Sequence, residues 1–379
     1  MRKIHLYLSL PFGILIALIC FSGAMLVFEK EICAVTQRDK FYVEQRSESP
    51  LSLDTLKARV ERTLPKGRTV TGITIFGEPG RSYQMSLSQP RKASLYVDPY
   101  TGEVLASGGR TPFFQTMFRL HRWLLGPTKN EDGSIGWGKC LVGISTLVFV
   151  AVIVSGLYLW WPKKRKALAR SLCIPTTHGL RPFLRGLHVA GGVYATLLLL
   201  AMALTGLTWS FGWYRTAFYA LFGCDTKPRT EQSSPAAAGK EKRQGGAKKG
   251  KGKADFSWQS AYEVVAKERP GFKQLSLSPR STSVSFGGWW TGSTTDKYTL
   301  NATGEKIVDI ERHEQRKKEQ KVRSWIRSVH TGSFGGWPTR ILWFVGALLG
   351  ATLPLTGYYL WWKRIRRSAP GSKPAAPQV

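Results

Sequence analysis

Residues 186–209 decide the fold of this chain, and they read GLHVAGGVYATLLLLAMALTGLTW. His188 stands near the start of the run, Thr205 and Gly206 follow seventeen and eighteen residues later, and no charged side chain interrupts it. A helix of about 20 apolar residues, rising about 1.5 Å per residue, crosses the hydrocarbon core of a bilayer. The run therefore predicts a transmembrane helix with a histidine near one end.

The same arrangement opens the chain, where Ser22 and Gly23 follow His5 at the same offsets. Each copy also has a second half, in which a histidine precedes a Ser/Thr-Gly pair and two tryptophans. These second halves are His121 with Ser155-Gly156-Leu157-Tyr158-Leu159-Trp160-Trp161 and His330 with Thr356-Gly357-Tyr358-Tyr359-Leu360-Trp361-Trp362. The sequence therefore contains the same unit twice, which predicts two parallel repeats.

Four apolar stretches are long enough to span a bilayer. They are residues 5–28, 140–162, 186–214 and 341–362. Lys and Arg crowd the segment before the first stretch, the short loop 163–185 and the tail 363–379. Because basic residues in short flanking segments mark the cytoplasmic side, we expect both termini and this loop to be cytoplasmic and the two long loops to face outward.

The two long loops carry mixed helix and strand patterns, which predict two α+β modules at residues 29–116 and 215–323. The first pattern gives a helix at 53–64, strands at 70–76, 82–87 and 93–97, and a turn at Thr101-Gly102-Glu103. The second gives a helix at 258–267, strands at 274–278, 283–286 and 297–301, and a turn at Thr303-Gly304-Glu305.

Two further segments of the second loop are set apart by composition. Residues 227–254 are rich in Lys, Gly, Ala and Pro, which predicts a mobile tether. The charged run 309–323 is interpreted as a solvated helix that leads back to the membrane.

Composition limits the classes of function. The net charge of +31 reflects basic stretches beside anionic lipid and does not indicate a nucleic-acid partner. The five cysteines show no C-x-x-C spacing, so zinc, iron–sulfur and covalent c-type haem sites are not indicated. Whether Cys33 and Cys224 form a disulfide is left open.

Four of the six histidines stand at matching places in the two copies. His5 and His188 begin the first and third apolar stretches, whereas His121 and His330 lie outside, shortly before the second and fourth. A neutral imidazole is a good axial ligand for haem iron, and an unpaired histidine in a bilayer is costly. For any single histidine an interfacial hydrogen bond is the alternative, but four matching positions favour haem ligation by two pairs, one on each side.

Glycines, two further histidines and a group of aromatic residues are also candidates for a role. The glycines of the apolar stretches leave room for close helices or for a flat macrocycle. His178 and His313 have no counterpart in the other copy, and we expect them to face solvent. Trp289, Trp290 and nearby Tyr298 either contact a ligand or form part of a module core.

These patterns resemble the PepSY-associated transmembrane family over nearly the whole chain apart from the tether and the tail. The motifs that carry the resemblance are His5 with Ser22-Gly23, Asp98-Pro99-Tyr100-Thr101-Gly102-Glu103, Leu120-His121-Arg122-Trp123-Leu124, and Ser155-Gly156-Leu157-Tyr158-Leu159-Trp160-Trp161. In the second copy Val329-His330-Thr331-Gly332 replaces Leu-His-Arg-Trp, and Asn301-Ala302 replaces Asp-Pro-Tyr. Members of the family include inner-membrane reductases of ferric siderophores in bacteria.

The resemblance implies a multi-pass protein of the bacterial inner membrane that holds two haem b groups. One haem would lie between His5 and His188, and the other between His121 and His330. Electrons would pass from a cytoplasmic flavoprotein or the quinol pool to a periplasmic ferric siderophore, which would release its iron as Fe(II). No G-x-G-x-x-G follows a predicted strand, so the electron donor would be a separate molecule.

Two other functions stay open at this point. The outer modules could form a membrane-anchored PepSY binding or regulatory module without haem. The protein could also be a transporter, since parallel repeats are common in that class. Against a transporter, no Asp or Glu lies inside any of the four apolar stretches.

Overall fold

The computed structural model describes residues 1–44, 49–90, 93–130, 134–162, 165–224, 256–279, 281–287 and 294–368. The chain divides into a helical unit and a sheet unit. The helical unit comprises Met1–Phe28, Pro112–Pro228 and Ile326–Val379, and the sheet unit comprises Glu29–Thr111 and Arg229–Trp325. The predicted tether at 227–254 lies outside the described residues, and so do Trp289 and Trp290.

The described residues form the following helices in chain order: α1 (Arg2–Val27), α2 (Glu29–Thr36), α3 (Arg38–Phe41), α4 (Leu53–Thr63), α5 (Pro112–Trp123), α6 (Trp137–Trp160), α7 (Arg165–Ser171), α8 (Leu180–Gly186), α9 (Gly192–Ser210), α10 (Gly212–Ala220), α11 (Trp258–Glu268), α12 (Lys318–Thr331) and α13 (Gly336–Ser368). The strands are β1 (Val70–Phe76), β2 (Tyr83–Leu87), β3 (Ser94–Val97), β4 (Val104–Ser107), β5 (Gln274–Leu277), β6 (Thr282–Phe286), β7 (Thr294–Leu300) and β8 (Ile307–Glu311).

Four helical segments of the described chain are long and apolar enough to cross a membrane, which confirms the predicted number of spans. They are Arg2–Val27, Trp137–Trp160, Leu180–Ser210 and Ser333–Arg366. The fourth segment begins eight residues before the apolar stretch, because Pro338 is compatible with the first turn of α13 and its polar neighbours can continue a helix. The chain therefore belongs to the multi-pass membrane proteins.

The spans pack closely through small residues. α1 packs against α6 and α13, and α9 packs against the same two helices. A Cβ atom at Gly13 would lie 2.7 Å from the hydroxyl oxygen of Tyr358, and one at Gly350 would lie 2.7 Å from a methyl carbon of Leu199. A larger residue at either position would force the neighbouring side chain to shift, so the small residues of the apolar stretches permit the close approach of the helices.

The sheet unit corrects the expectation of two separate modules. Its strands form one eight-stranded antiparallel sheet in the order β4-β3-β2-β1-β5-β6-β7-β8. β1 of the first loop pairs with β5 of the second, with Ile73 opposite Leu277. Each four-stranded half has a free edge whose backbone groups need partners, and pairing the two edges satisfies both. The alternation of side chains along a strand does not indicate which strands of the two loops pair.

The two halves of the sheet unit are also joined at the N-termini of α4 and α11. The Asp54 carboxylate accepts hydrogen bonds from the backbone N–H groups of Trp258 (2.9 Å) and Gln259 (3.1 Å). In return, the side-chain oxygen of Gln259 accepts one from the Leu53 N–H (3.1 Å). Each helix thus supplies a cap for the other's unsatisfied first-turn donors.

The core of the sheet unit lies between the sheet and these two helices. Its fully buried members include Leu56, Ile73, Leu275 and Tyr298. Tyr298 is therefore part of the core, which was one of its two predicted uses. Gly102 and Gly304 of the two Thr-Gly-Glu turns have φ of +77° and +85°, a conformation that favours glycine.

One smaller expectation differs from the structure, and one open question is answered. The charged run 309–323 is not one helix: β8 extends to Glu311, a 3-10 turn covers His313–Gln315, and α12 begins at Lys318. Backbone pairing with β7 overrides the helical appearance of the first residues. All five cysteines are free, so Cys33 and Cys224 form no disulfide.

Candidate functional site: two histidine pairs

The four histidines singled out in the sequence lie in two pairs within the helical unit. The ring centroids of His5 and His188 are 6.4 Å apart, with an angle of 87° between the ring planes. Those of His121 and His330 are 6.0 Å apart, with an angle of 51°. The structure thus brings together the same partners that the sequence pattern suggested.

Each pair takes one histidine from each half of the chain. His5 lies on α1, and His188 lies in a π-helical turn, Leu187–Gly191, between α8 and α9. His121 lies on α5 and His330 on α12, two amphipathic helices that precede spans without being part of them. Single π-helical turns inside α-helices are frequent at functional sites.

The imidazoles of the His5–His188 pair are held through their Nδ1 atoms. His5 Nδ1 lies 3.0 Å from Ser155 Oγ, and His188 Nδ1 lies 2.9 Å from Thr356 Oγ1. Both hydroxyls donate their own proton to a backbone carbonyl one turn earlier, so their oxygens are free to accept. His188 Nδ1 also lies 3.0 Å from the carbonyl oxygen of Leu353, which can only accept.

The His121–His330 pair is held in the same way. His330 Nδ1 lies 2.9 Å from the carbonyl oxygen of Met202 and 3.1 Å from Thr205 Oγ1. His121 Nδ1 lies 2.9 Å from the carbonyl oxygen of Ile19. A carbonyl oxygen requires a donor, so Nδ1 carries the proton in these rings. The proton on Nδ1 leaves the lone pair of the neutral ring on Nε2, the usual arrangement of a metal-ligating histidine.

The glycine of each Ser/Thr-Gly motif lies against one of these rings. A Cβ atom added at Gly23 would lie 2.9 Å from Cε1 of His121, and at Gly206 it would lie 3.1 Å from Cε1 of His330. The corresponding distances are 3.2 Å from Gly156 to His5 and 3.3 Å from Gly357 to His188. These glycines therefore make room for imidazoles, a use that the expectation of a flat macrocycle did not include.

The contacts are reciprocal within each copy of the sequence unit. In the first copy His5 lies against Ser155-Gly156, and His121 lies against Gly23 of the other motif. In the second, His188 contacts Thr356-Gly357 and His330 contacts Thr205-Gly206. The Ser/Thr-Gly motifs noticed in the sequence are thus the second layer around the histidines.

Electrostatics favours neutral rings at the His121–His330 pair. Burial lowers the pKa of His121 and lowers that of His330 to about 3. The cation of Arg122 lowers both pKa values further. A neutral imidazole is the form that can donate a lone pair to a metal ion.

One neighbour was missed by the sequence analysis. The indole of Trp209 lies edge-on to the His330 ring, with 5.0 Å between ring centroids and 77° between planes. The signal was present, because Trp209 follows Gly206 by three residues, but it was hidden among the many aromatic residues near span ends.

The remaining histidines lie elsewhere. His178 is exposed, as expected, and its Nδ1 lies 3.0 Å from the Thr177 hydroxyl oxygen. His313 is half-buried and its backbone N–H donates to Asp296, so the expectation of a solvent-facing ring is wrong in part. Within the described residues no three His, Cys, Asp or Glu side chains form a metal-holding group. The chain brings two imidazoles close together at two places.

Comparison with known proteins completes the description of the site. No curated protein matches the chain. The family model described as the PepSY-associated TM region matches residues 2–364, a range that includes all four paired histidines and both groups of strands. The chain belongs to the PepSY-associated transmembrane family.

Proposed function

We propose that this protein is a membrane reductase of ferric siderophores that holds two haem b groups. His5 and His188 would hold one haem, and His121 and His330 would hold the other. Electrons enter from a flavoprotein or quinol, and the substrate is a ferric siderophore on the opposite side of the membrane. Haem supplies one-electron redox chemistry when it is bound.

The distance between the rings of each pair is the observation that carries the proposal. With metal–nitrogen bonds of about 2.0–2.1 Å, two imidazoles on opposite sides of one ion have centroids about 6 Å apart. The centroid distances of 6.4 and 6.0 Å agree with this value. The same spacing recurs at the two pairs, which take their histidines from matching places in the two copies of the sequence unit.

The second layer of each pair also fits iron ligation. Carbonyl or hydroxyl oxygens accept from Nδ1, which fixes the tautomer, orients the ring and raises the basicity of Nε2. The hydroxyl-bearing residues Ser155, Thr205 and Thr356 are all buried, so water competes little for these bonds. The chain's role is to hold two neutral imidazoles in fixed orientations within a dry surrounding.

The topology of the sheet unit supports the orientation proposed for the membrane. β1 and β5 come from the two long loops and pair directly, as is expected of two loops on the same side of a membrane. Two spans, Trp137–Trp160 and Leu180–Ser210, separate them, as that arrangement requires. We place the loops in the periplasm and both termini in the cytoplasm of a bacterial cell, because the short basic segments flank the other ends of the spans.

Reduction on the periplasmic side would release iron for a simple reason. The anionic oxygen donors of siderophores bind the harder ferric ion more firmly than the ferrous ion. One electron delivered to the bound Fe(III) gives Fe(II), and the chelate then loses its affinity. The released Fe(II) would be the product.

The test is the haem content of the detergent-purified full chain, measured as a pyridine haemochrome. We expect about two haem b per chain in the parent protein and about one in each of His5→Ala, His188→Ala, His121→Ala and His330→Ala. His178→Ala is the matched control, since His178 is exposed and lies in neither pair, and it should keep both haems.

Two results would contradict the proposal. If the folded parent protein contained no haem, electron transfer would be ruled out. The haem-free binding module would then be the better-supported function. Equal haem loss in His178→Ala and the paired variants would show that the loss is unspecific. If the haems are present, anaerobic reduction of the protein followed by addition of a ferric hydroxamate would test substrate reduction, read as reoxidation of the haem absorbance.

A further inference from the structure

The two histidine pairs differ in one neighbouring side chain. Trp209 lies on α9 one turn after Gly206, and both residues contact the His330 ring. The indole meets the imidazole edge-on, at 5.0 Å between centroids and 77° between planes. Trp209 therefore forms one wall of the space in which the His330 ring can turn.

The three equivalent positions of the chain carry leucine. Counted three residues after the glycine of each Ser/Thr-Gly motif, they are Leu26, Leu159 and Leu360. An aliphatic side chain has no flat face or polar edge that would favour one orientation of a neighbouring ring. Edge-to-face contacts between aromatic rings, in contrast, prefer a defined geometry. Trp209 is thus an exception at one of four matching sites.

The orientation of the two rings also differs between the pairs. The planes of His5 and His188 are close to perpendicular, at 87°, whereas those of His121 and His330 make 51°. The hydrogen bonds from His330 Nδ1 to Met202 and Thr205 fix where that atom lies. The Trp209 ring, which lies edge-on to the imidazole, supplies a second constraint on the rotation of the His330 ring about its Cβ–Cγ bond.

We propose that Trp209 is a positioning residue for His330 and that it makes the two haem centres electronically unequal. The inference rests on the proposed function, because it concerns imidazoles that ligate haem iron. The angle between two axial imidazole planes sets how their π orbitals overlap with those of the iron. Ferric centres with perpendicular planes therefore give a higher maximum g value in electron paramagnetic resonance than centres with planes nearer to parallel.

The experiment compares Trp209→Leu with the parent protein by low-temperature electron paramagnetic resonance and by redox titration. His5→Ala and His330→Ala, which each lack one centre, assign the two signals. We expect Trp209→Leu to keep two haems while the signal and the midpoint potential of the His121–His330 centre shift. The His5–His188 centre should be unchanged in both measurements.

Two further variants sharpen the comparison. Trp209→Phe keeps an aromatic edge beside His330, so its His121–His330 signal should stay close to that of the parent. Trp213→Leu makes the same replacement at an exposed tryptophan that stacks on Phe211 rather than on a histidine, and it should alter neither signal. Should Trp209→Leu give too little folded protein, Trp209→Met is a second replacement without a ring.

The outcomes separate this inference from the proposed function. Two haems in Trp209→Leu with unchanged signal and potential would overturn the positioning role alone. An equal change in Trp213→Leu would overturn it as well, because the effect would then not depend on contact with His330. A parent protein without haem would overturn the proposed function and this inference together.

Discussion

The four glycines that contact the histidine rings form a graded series that can be tested by adding a single methyl group. A Cβ atom at Gly23 would lie 2.9 Å from His121 Cε1, which is 0.5 Å short of the 3.4 Å at which ordinary contact begins. At Gly357 the distance to His188 is 3.3 Å, only 0.1 Å short. Gly206 and Gly156, at 3.1 and 3.2 Å, fall between them.

The size of the effect follows from how far each ring must move. The His121 ring cannot retreat freely, because its Nδ1 is bonded to the Ile19 carbonyl on the same helix as Gly23. Overpacking of this kind costs about 1–3 kcal/mol, or roughly 5- to 150-fold in affinity for a ligand that needs the original ring position. At Gly357 a displacement of 0.1 Å should cost less than about 1 kcal/mol.

The assay is haem affinity, measured by transfer of haem from each purified variant to excess apomyoglobin. We expect the loss to follow the order Gly23→Ala, Gly206→Ala, Gly156→Ala and Gly357→Ala, largest first. Alanine also favours a helix by about 1 kcal/mol over glycine, so a weaker helix would not explain the loss. Gly212→Ala is the control, since nothing lies within 4 Å of its added methyl group.

A different order would refute the reasoning. If Gly357→Ala lost more haem than Gly23→Ala, or if all four variants lost the same amount, clearance for the rings would not be the role of these glycines. A loss in Gly212→Ala of similar size would point to general destabilisation of the helical unit.

Three further predictions concern single side chains. Ser155→Ala removes one hydrogen-bond partner of His5 Nδ1 and should weaken haem binding at that centre by roughly 10- to 100-fold. Thr205→Ala should lose less, because the Met202 carbonyl lies closer to His330 Nδ1 (2.9 Å) than Thr205 Oγ1 does (3.1 Å); haem transfer distinguishes the two variants. Asp54→Ala removes the acceptor of the Trp258 and Gln259 N–H groups at the start of α11 and should lower the stability of the sheet unit by about 0.5–2 kcal/mol in urea unfolding of the full chain, while Asp309→Ala, at an exposed position, should not. Burial lowers the pKa of His313, so folding disfavours its protonation; stability should fall as the pH drops below about 6.5, and a thermal melt of His313→Gln should show a smaller fall.

Much of the helical unit could be predicted from the sequence because its signals are local. A run of apolar residues defines a span by length alone, and the recurrence of histidines at matching places in the two copies pointed to the pairs. The contact between each histidine and a Ser/Thr-Gly motif could not be predicted in the same way. It joins residues far apart in the chain, such as His121 and Gly23, and depends on how the helices are packed.

The strands of the sheet unit show the same division between local and distant information. The alternation of apolar and polar residues at 70–76 predicted β1 with its observed bounds, because successive side chains of a strand point to opposite faces of the sheet. Joining of the two halves depends on backbone groups of β1 and β5, which every residue carries. Asp309 and Glu311 misled the interpretation because they lie on an edge strand, where charge is tolerated.

The pairing of β1 with β5 also has a consequence for the biogenesis of the protein. Ile73 and its partner Leu277 are separated by about 200 residues, which a ribosome adds in roughly 10–40 s. Two spans must enter the membrane during this interval, while the first four strands already exist with one open edge. Open edges recruit other strands, so a nascent chain is exposed to aggregation until its second loop arrives. Truncation after α6 would make that exposure permanent, and such fragments should aggregate more readily than the full chain.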